Sequence, residues 1–279
     1  EAILVNNKNF TLSVDANLTL ISNVVDSLYL GRDITGTYTI IRQGESINSV
    51  YGYEYVGVNA ANGNPIYKKQ DEAGTLVQGN IPTSTYVLYN ENEPGNVSTA
   101  ASLSSVTDKK VFGSSLPTYF GSFGIKFRFK GFDVSTLFRY SGGNYIMNRT
   151  RDDLLQHSFT NNGSEILGRW QSADNPGDGW TPRLWSQGGN FVNITNQTNG
   201  RFVEKGDFLK FSNLVIGYNL PKSLLDRIGV SDLRIFAQGS ELYMLTDYTG
   251  IDPEMEVNGV DFNLTPRQRT LTLGLSISL

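Results

Sequence analysis

The closing stretch RTLTLGLSISL, residues 269–279, sets the tightest limit on the fold. Leu271, Leu273, Leu275, Ile277 and Leu279 occupy every second place, and Thr270, Thr272, Gly274, Ser276 and Ser278 fill the others. A period of two belongs to a β-strand, whose successive side chains point to opposite faces. Thr, Ile and Leu suit a pleated surface, and no Pro interrupts the run. One face is therefore wholly apolar and the other small and polar. Two folds accept such a strand. A soluble sandwich packs the apolar face inward; a transmembrane barrel turns it to lipid and keeps the polar face on a wet lumen. Spanning a bilayer takes about 9–11 tilted residues, and this run is long enough.

The same pattern recurs. In NFTLSVDANLTLI, Phe10, Leu12, Val14, Ala16, Leu18 and Leu20 share one face, with Asp15 among the polar residues of the other. In SFGIKFRFKGFDVSTLFRYSG, Phe123, Ile125, Phe127 and Phe129 alternate with Gly124, Lys126, Arg128 and Lys130. A tight Lys130-Gly131 turn is expected before a second strand carrying Phe132, Val134, Thr136, Phe138 and Tyr140. Further extended segments are expected at residues 1–5, 38–58, 208–221 and 230–248, giving eight strands with the last. In the 38–58 segment a Gly-Glu pair suggests a bulge. PKSLLDRIG reads as a short helical turn opened by Pro221 and stopped by Gly229, and a second short helix is expected near 149–157. The opening EAILV lies almost within a strand, so the chain is expected to be a piece of a longer polypeptide.

Connection lengths decide between the two folds. The links at 130–132 and 221–230 are short, whereas segments 59–118, 147–206 and 248–267 are long and rich in Asn, Gly, Ser and Thr. Long irregular loops are uncommon in compact soluble domains. Short turns at one rim and long loops at the other are what outer-membrane barrels have. The fold class expected is therefore all-β, a transmembrane antiparallel β-barrel, with a soluble β-sandwich as the alternative.

Composition agrees. No apolar run approaches the roughly 20 residues of a transmembrane helix. Only 18% of residues are charged, against 29 Gly, 14 Tyr and 15 Phe in 279 residues, as strands of alternating character require. The net charge of -4 argues against nucleic acid as a partner. With no Cys and a single His, disulfides, thiolate metal sites and multi-His sites do not arise from this chain. No cofactor or metal site is expected, and no catalytic motif stands out.

DFLKFSNLVIGYNLPKSLLDRIGVSDLRIFAQGSELYMLTDYTGIDPE, followed by PRQRTLTLGLSISL, resembles the end of SusC/RagA-type TonB-dependent outer-membrane transporters. RQGESINSVYGYEYVGV resembles that family's strand leading into an extracellular loop, and GSSLPTYFGSFGIKFRFKGFDVSTLFRYSGGNYIMN its central hairpin. The chain departs from the family in two places. NGNPIYKKQDEAGTLVQGN stands where an acidic, Asp-Gly-rich loop is frequent, so no metal site carries over, and the last residue is Leu279 where Phe is usual. The resemblance implies the C-terminal part of a barrel of roughly 22 strands, with the plug and earlier strands lying elsewhere. It implies an outer membrane of the Bacteroidota type and a periplasmic C-terminus. It also implies a SusD-like lipoprotein lid, TonB as energy source through a region absent here, and import of glycans or peptides. A soluble carbohydrate-binding module, or a SusC-like barrel that anchors other envelope proteins, are the alternative functions.

Site residues follow from these readings. Phe123, Ile125, Phe127, Phe129, Leu271, Leu273, Leu275, Ile277 and Leu279 are expected to face lipid. Trp170, Trp180 and Trp185, all within one loop, and Tyr145 are the candidate contacts for substrate or lid, since aromatic faces stack on sugars and peptide groups; burying area within the loop is the competing role. His157 beside Asp152 and Asp153 has no partner nucleophile in a recognisable motif and is expected to be solvated. Asp252, Glu254, Glu256 and Asp261 lack EF-hand spacing and read as a solvated acidic loop. Tyr140, Tyr145, Tyr218, Tyr243 and Tyr248 are expected near strand ends, as in interfacial girdles. Strands taken from a large barrel leave two unpaired edges, which other strands must cover.

Overall fold

The computed structural model describes residues 1–81, 83, 85–156, 161–185, 194, 197–226 and 229–278. Seven strands form one antiparallel sheet: β1 (Ala2–Asn6), β2 (Phe10–Leu20), β3 (Tyr119–Phe129), β4 (Phe132–Gly142), β5 (Phe208–Asn219), β6 (Asp232–Thr246) and β7 (Thr270–Ser278). Each pairs with its neighbours in chain order, an uninterrupted up-and-down meander. Its short links all lie at one rim: residues 7–9, 130–131 and 220–231. Its long links, 21–118, 143–207 and 247–269, all lie at the other.

The register carries the alternating pattern from strand to strand. Phe123 pairs with Ala16 on β2 and Phe138 on β4, Ile125 with Val14 and Thr136, and Phe127 with Leu12 and Val134. Leu271, Leu273 and Leu275 pair with Gly239, Ala237 and Ile235 of β6. A face apolar along one strand is thus apolar across all seven. Stacked rings reinforce it: Phe123 on Phe138 at 4.8 Å and Phe138 on Phe211 at 4.7 Å. At the β3–β4 turn Lys130 and Gly131 both take positive φ, 45° and 88°. Two left-handed residues make the type I′ turn that matches strand twist.

Among the described residues no layer covers this apolar face. Leu271 and Leu273 are 78% and 87% exposed, whereas a sandwich would bury them. Every fully buried apolar side chain among the described residues lies outside the seven strands. The buried residues instead form clusters in the long links, one around Val50, Met147, Leu155, Phe202 and Val260, another around Tyr53, Tyr55, Tyr67 and Val77. The chain thus has a coreless wall and a cored body of loops at one rim.

That body corrects two expectations. Strands at Ile34–Thr35, Thr39–Ile41, Ser49–Val58, Pro65–Lys68, Leu76–Asn80, Thr85–Leu88 and Ala100–Ala101 form a second sheet, joined by Lys109–Gly113 and Thr198–Asn199. A third sheet holds Val203–Lys205, Tyr145–Asn148 and Val260–Asp261. Segment 59–118 therefore carries strands of its own, while 147–206 and 248–267 carry short helices and strands between irregular stretches. Residues 38–58 are not a wall strand either, so the wall has seven strands where eight were expected. Gly44 and Glu45 form a turn between two strands rather than a bulge, Glu45 N–H donating to the Arg42 carbonyl. The short helix is α1 (Arg149–Leu154), and the turn opened by Pro221 is α2 (Lys222–Leu225).

Candidate functional site

The polar face of the wall carries ion pairs, some between adjacent strands and one across an intervening strand. Arg234 of β6 meets Asp133 of β4 at 2.6 Å across β5, and the residue between them is Gly217, where a Cβ would lie 2.4 Å from the guanidinium. Lys126 of β3 reaches Asp15 of β2 at 3.3 Å and Glu1 at 3.6 Å.

The densest cluster lies towards the loop rim. Lys210 of β5, buried, ion-pairs with Glu241 at 2.5 Å, Glu254 at 2.6 Å and Asp252 at 3.6 Å, while Arg139 of β4 also binds Glu254. A double irregularity builds this. Phe211 pairs with Tyr243 but Asn213 with Ser240, so Ser212 opposes two residues of β6. One of those, Glu241, takes φ 56°. A left-handed backbone is unfavourable for Glu and is tolerated where surrounding contacts impose it. Ser212 is also the bulge that shifts β4 against β5, which is why the faces of residues 208–221 resist assignment from periodicity.

Glu254 and Asp252 sit in the β6–β7 link, so the cluster ties that link to the wall. The acidic residues of this link are not a solvated face. Asp252 caps Glu254 N–H at 2.9 Å. Asp261 accepts from the Tyr248 hydroxyl at 2.6 Å and the Thr150 hydroxyl at 3.0 Å. Burial raises the Glu256 pKa, and this carboxylate accepts from Gly259 N–H. Each has a donor or cation in hand. Among the described residues no group of three or more His, Cys, Asp or Glu side chains is arranged to hold a metal.

The aromatic set does not converge. Trp170 donates its indole N–H to the Ala60 carbonyl at 2.7 Å and its ring leans on Gly63, where a Cβ would lie 2.6 Å away. Trp180 packs edge-on to Tyr55 at 4.8 Å and accepts the Tyr55 hydroxyl at its carbonyl, 2.7 Å; its ring edge is partly exposed. Trp185 is half-buried, its indole nitrogen without an acceptor among the described residues. Tyr145 packs elsewhere, on the Val50 cluster. The Trp170 and Trp180 contacts dock the 168–185 loop onto the Asn59–Asn64 turn and onto Tyr55. Of the girdle tyrosines, Tyr140, Tyr218 and Tyr243 share the wall's apolar face, to which Tyr119 adds a fourth. Tyr145 and Tyr248 lie in the loop body, not on it. Phe123, Ile125, Phe127, Phe129, Leu271, Leu273, Leu275 and Ile277 all lie on that one face. Leu279 and His157 lie outside the described residues.

Sequence reasoning missed the charge hub at α1. Asn148 caps the helix, accepting from Arg151 N–H at 2.9 Å. Arg151 makes a two-pronged pair with Glu165, 2.7 and 2.8 Å, and also binds Glu204. Asp152 is fully buried beside Arg149 at 2.7 Å. Burial outweighs that pair and pushes its pKa up to about 7. The Arg149, Asp152, Asp153 spacing of three and four residues is a readable helix pairing; the burial is not readable.

No family model matches the chain. TonB-dependent receptor P3 of Formosa agariphila is 28% identical over 98% of this chain and 27% of its own length. TonB-dependent receptor SusC of Bacteroides thetaiotaomicron is 25% identical over 97% of this chain and 24% of its own. The chain thus spans about a quarter of the length of the curated relatives it matches. Among solved structures, the RagAB peptide transporter aligns with a TM-score of 0.77 at 22% identity, over 99% of this chain and 28% of that one. The RagAB peptide importer in its "closed-closed" state aligns at 0.73 and 21%, with the same coverage. The seven-stranded meander is thereby a portion of an all-β barrel.

Proposed function

We propose that this chain, a homologue of the SusC-like TonB-dependent receptors, is the C-terminal barrel wall and outer rim of an importer that carries glycans or peptides across an outer membrane. One observation carries the reading: a sheet apolar on one face, with that face uncovered, and its cored loops gathered at one rim. Lipid is the solvent that such a face requires. Strand β3, eleven residues and so about ten rises of roughly 3.4 Å, tilted about 40°, covers roughly 26 Å along the membrane normal, the height of an outer-membrane apolar band. Tyr119, Tyr140 and Tyr243 then stand at the upper interface, and Phe129, Phe132 and Tyr218 at the lower. The polar face lines the lumen, the short links face the periplasm, and the loop body faces outward beneath a SusD-like lipoprotein. The outer edges of β1 and β7, unpaired among the described residues, bond to further strands of the same barrel, whose plug answers to TonB.

Uptake in cells carrying or lacking the full-length receptor tests this. TonB-dependent accumulation of labelled oligosaccharides or peptides is expected only with the receptor present. Unchanged uptake, together with loss of other proteins from the envelope, would instead support the anchoring role. Recovery of the folded protein from an aqueous extract without detergent would defeat both.

A further inference from the structure

The β3–β4 turn carries a residue that its backbone does not favour. Lys130 takes φ 45° ahead of Gly131 at 88°, the first central position of a type I′ turn, where Asn or Asp is the preferred side chain. A left-handed backbone is unfavourable for a long side chain, so a cation is held here at a local cost. Its ammonium turns back over the wall: it lies 5.2 Å from the centroid of the Phe129 ring, within cation–π range. That ring belongs to the apolar face. Phe129 and Phe132 are 40% and 50% exposed there, Phe132 packs on Tyr218 at 4.4 Å, and a Cβ on Gly131 would lie 3.2 Å from the Tyr218 ring. Lys130 N–H donates to the Asn9 carbonyl at 3.2 Å, which brings the link of residues 7–9, with Lys8, alongside. The distribution of charge along the chain is an independent observation. The short links hold Lys8, Lys130, Lys222 and Arg227 against Asp226, and Asp232 opens β6 beside them. Each of the three long links holds more Asp and Glu than Lys and Arg. Lys8, Lys130 and Lys222 make no ion pair among the described residues.

From this combination we infer that the short-link rim is a docking site for anionic phospholipids of the adjoining leaflet, with Lys130 binding the headgroup phosphate and Phe129, Phe132 and Tyr218 lying along the acyl chains. The inference goes beyond the importer reading and rests on its placing of lipid at the apolar face. A phospholipid phosphate sits where hydrocarbon gives way to water, the depth at which aromatic girdles stand and lysine side chains reach out of the apolar layer. A cation poised over the last ring of the apolar face therefore meets the phosphate and the chains of one lipid together. A net negative headgroup fits this rim better than a zwitterionic one. The ammonium of an ethanolamine headgroup competes with Lys130 for its own phosphate and meets the excess cations of the short links, whereas an anionic surface attracts each of them.

The test uses the full-length receptor in detergent, with dioleoyl-phosphatidylglycerol and dioleoyl-phosphatidylethanolamine as probes and bound lipid counted by native mass spectrometry. The parent protein is expected to bind phosphatidylglycerol more tightly than phosphatidylethanolamine. Lys130→Asn should weaken phosphatidylglycerol binding about fivefold, the worth of one cation at an anionic surface, and leave phosphatidylethanolamine binding nearly unchanged. Lys130→Arg should keep the preference. Asn-Gly is the favoured type I′ pair, so Lys130→Asn removes the charge while preserving the turn, and heat-dependent gel migration checks that the barrel stays folded. Equal binding of the two lipids by the parent protein, or an unchanged preference in Lys130→Asn, would overturn the docking site. So would displacement of bound phosphatidylglycerol by inorganic phosphate at matched concentration, which would mark a site for free anions. Insertion of the parent protein into phosphatidylcholine vesicles separates these failures from that of the reading beneath them: if it inserts, only the docking site is wrong, and if it stays in the aqueous phase, the lipid-facing wall falls as well.

Discussion

Arg234 and Asp133 are two strands apart, and they meet because Gly217 on the strand between them has no side chain. The guanidinium closes on the carboxylate at 2.6 and 3.1 Å, directly over the space a Cβ would occupy. Asn219 adds a third donor to the same carboxylate at 3.3 Å. Gly217 is thus fixed by a side-chain approach, since its backbone is ordinary strand. Gly217→Val is expected to lower barrel stability by about 1–3 kcal/mol through forced displacement of neighbouring groups. Asp133→Asn in the same background should cost less than it does alone, because the pair is already broken. Urea titration of the full-length barrel in micelles, followed by gel mobility, measures both.

The two faces of β7 make opposite predictions from adjacent residues. Leu273 lies on the uncovered apolar face and Thr272 on the polar face opposite Gln238. Leu273→Arg is expected to cost roughly 2–4 kcal/mol, the cost of a cation near the bilayer midplane. Thr272→Lys should cost less than about 1 kcal/mol, since a lumenal side chain stays wet. Folding yields into phosphatidylcholine vesicles would show it. Equal effects would mean that the apolar face does not touch lipid.

Asp152 predicts a pH dependence confined to the loop body. Its folded pKa, pushed up to about 7 by burial, lies above the ordinary carboxylate value of about 3.9. The folded state therefore holds this proton more tightly than the unfolded state. The associated stability is fully present below about pH 4 and is lost as pH rises towards 7. Limited proteolysis of the loop body should accelerate severalfold between pH 5 and pH 8. Asp152→Asn, which cannot titrate, should remove that component while keeping the Arg149 contact through its carbonyl oxygen.

What was legible beforehand followed from period. β2, β3, β4 and β7 alternate cleanly, so their faces and the Lys130-Gly131 turn could be read directly. β5 and β6 could not, because Ser212 and Glu241 interrupt the alternation, and a bulge leaves no compositional mark. The YGYEYVGV run has strand chemistry but packs into the loop body, since its Tyr55 meets Tyr67 and Trp180. Period alone does not say which sheet a strand joins. The site was less legible still. The aromatic residues noticed first, Trp170 and Trp180, are held by packing and backbone carbonyls. Lys210 and Arg139 carry no motif, and chain segments far apart in sequence bring them to one place.

Lys210 gives the sharpest test of how the outer loops are held. Its ammonium is almost wholly buried and faces Glu241, Asp252 and Glu254. Breaking a buried pair by removing one partner leaves the other charge uncompensated and costs about 3–5 kcal/mol; here three carboxylates would be stranded, with Arg139 the one other cation paired to them among the described residues. Lys210→Met is thus expected to release residues 247–269 from the wall, seen as new cleavage within that link while the barrel still resists unfolding. Lys210→Arg should release it far less, because the charge remains although the guanidinium fits poorly among three acceptors. Lys210→Met combined with Glu241→Gln and Glu254→Gln should regain part of the protection by removing stranded charge. If Lys210→Met leaves the cleavage pattern unchanged, the link is held by its other ties, the β-pairing of Val260–Asp261 with Tyr145–Asn148 and the Thr150–Asp261 and Thr249–Glu204 hydrogen bonds among them, and the ion cluster is not its latch.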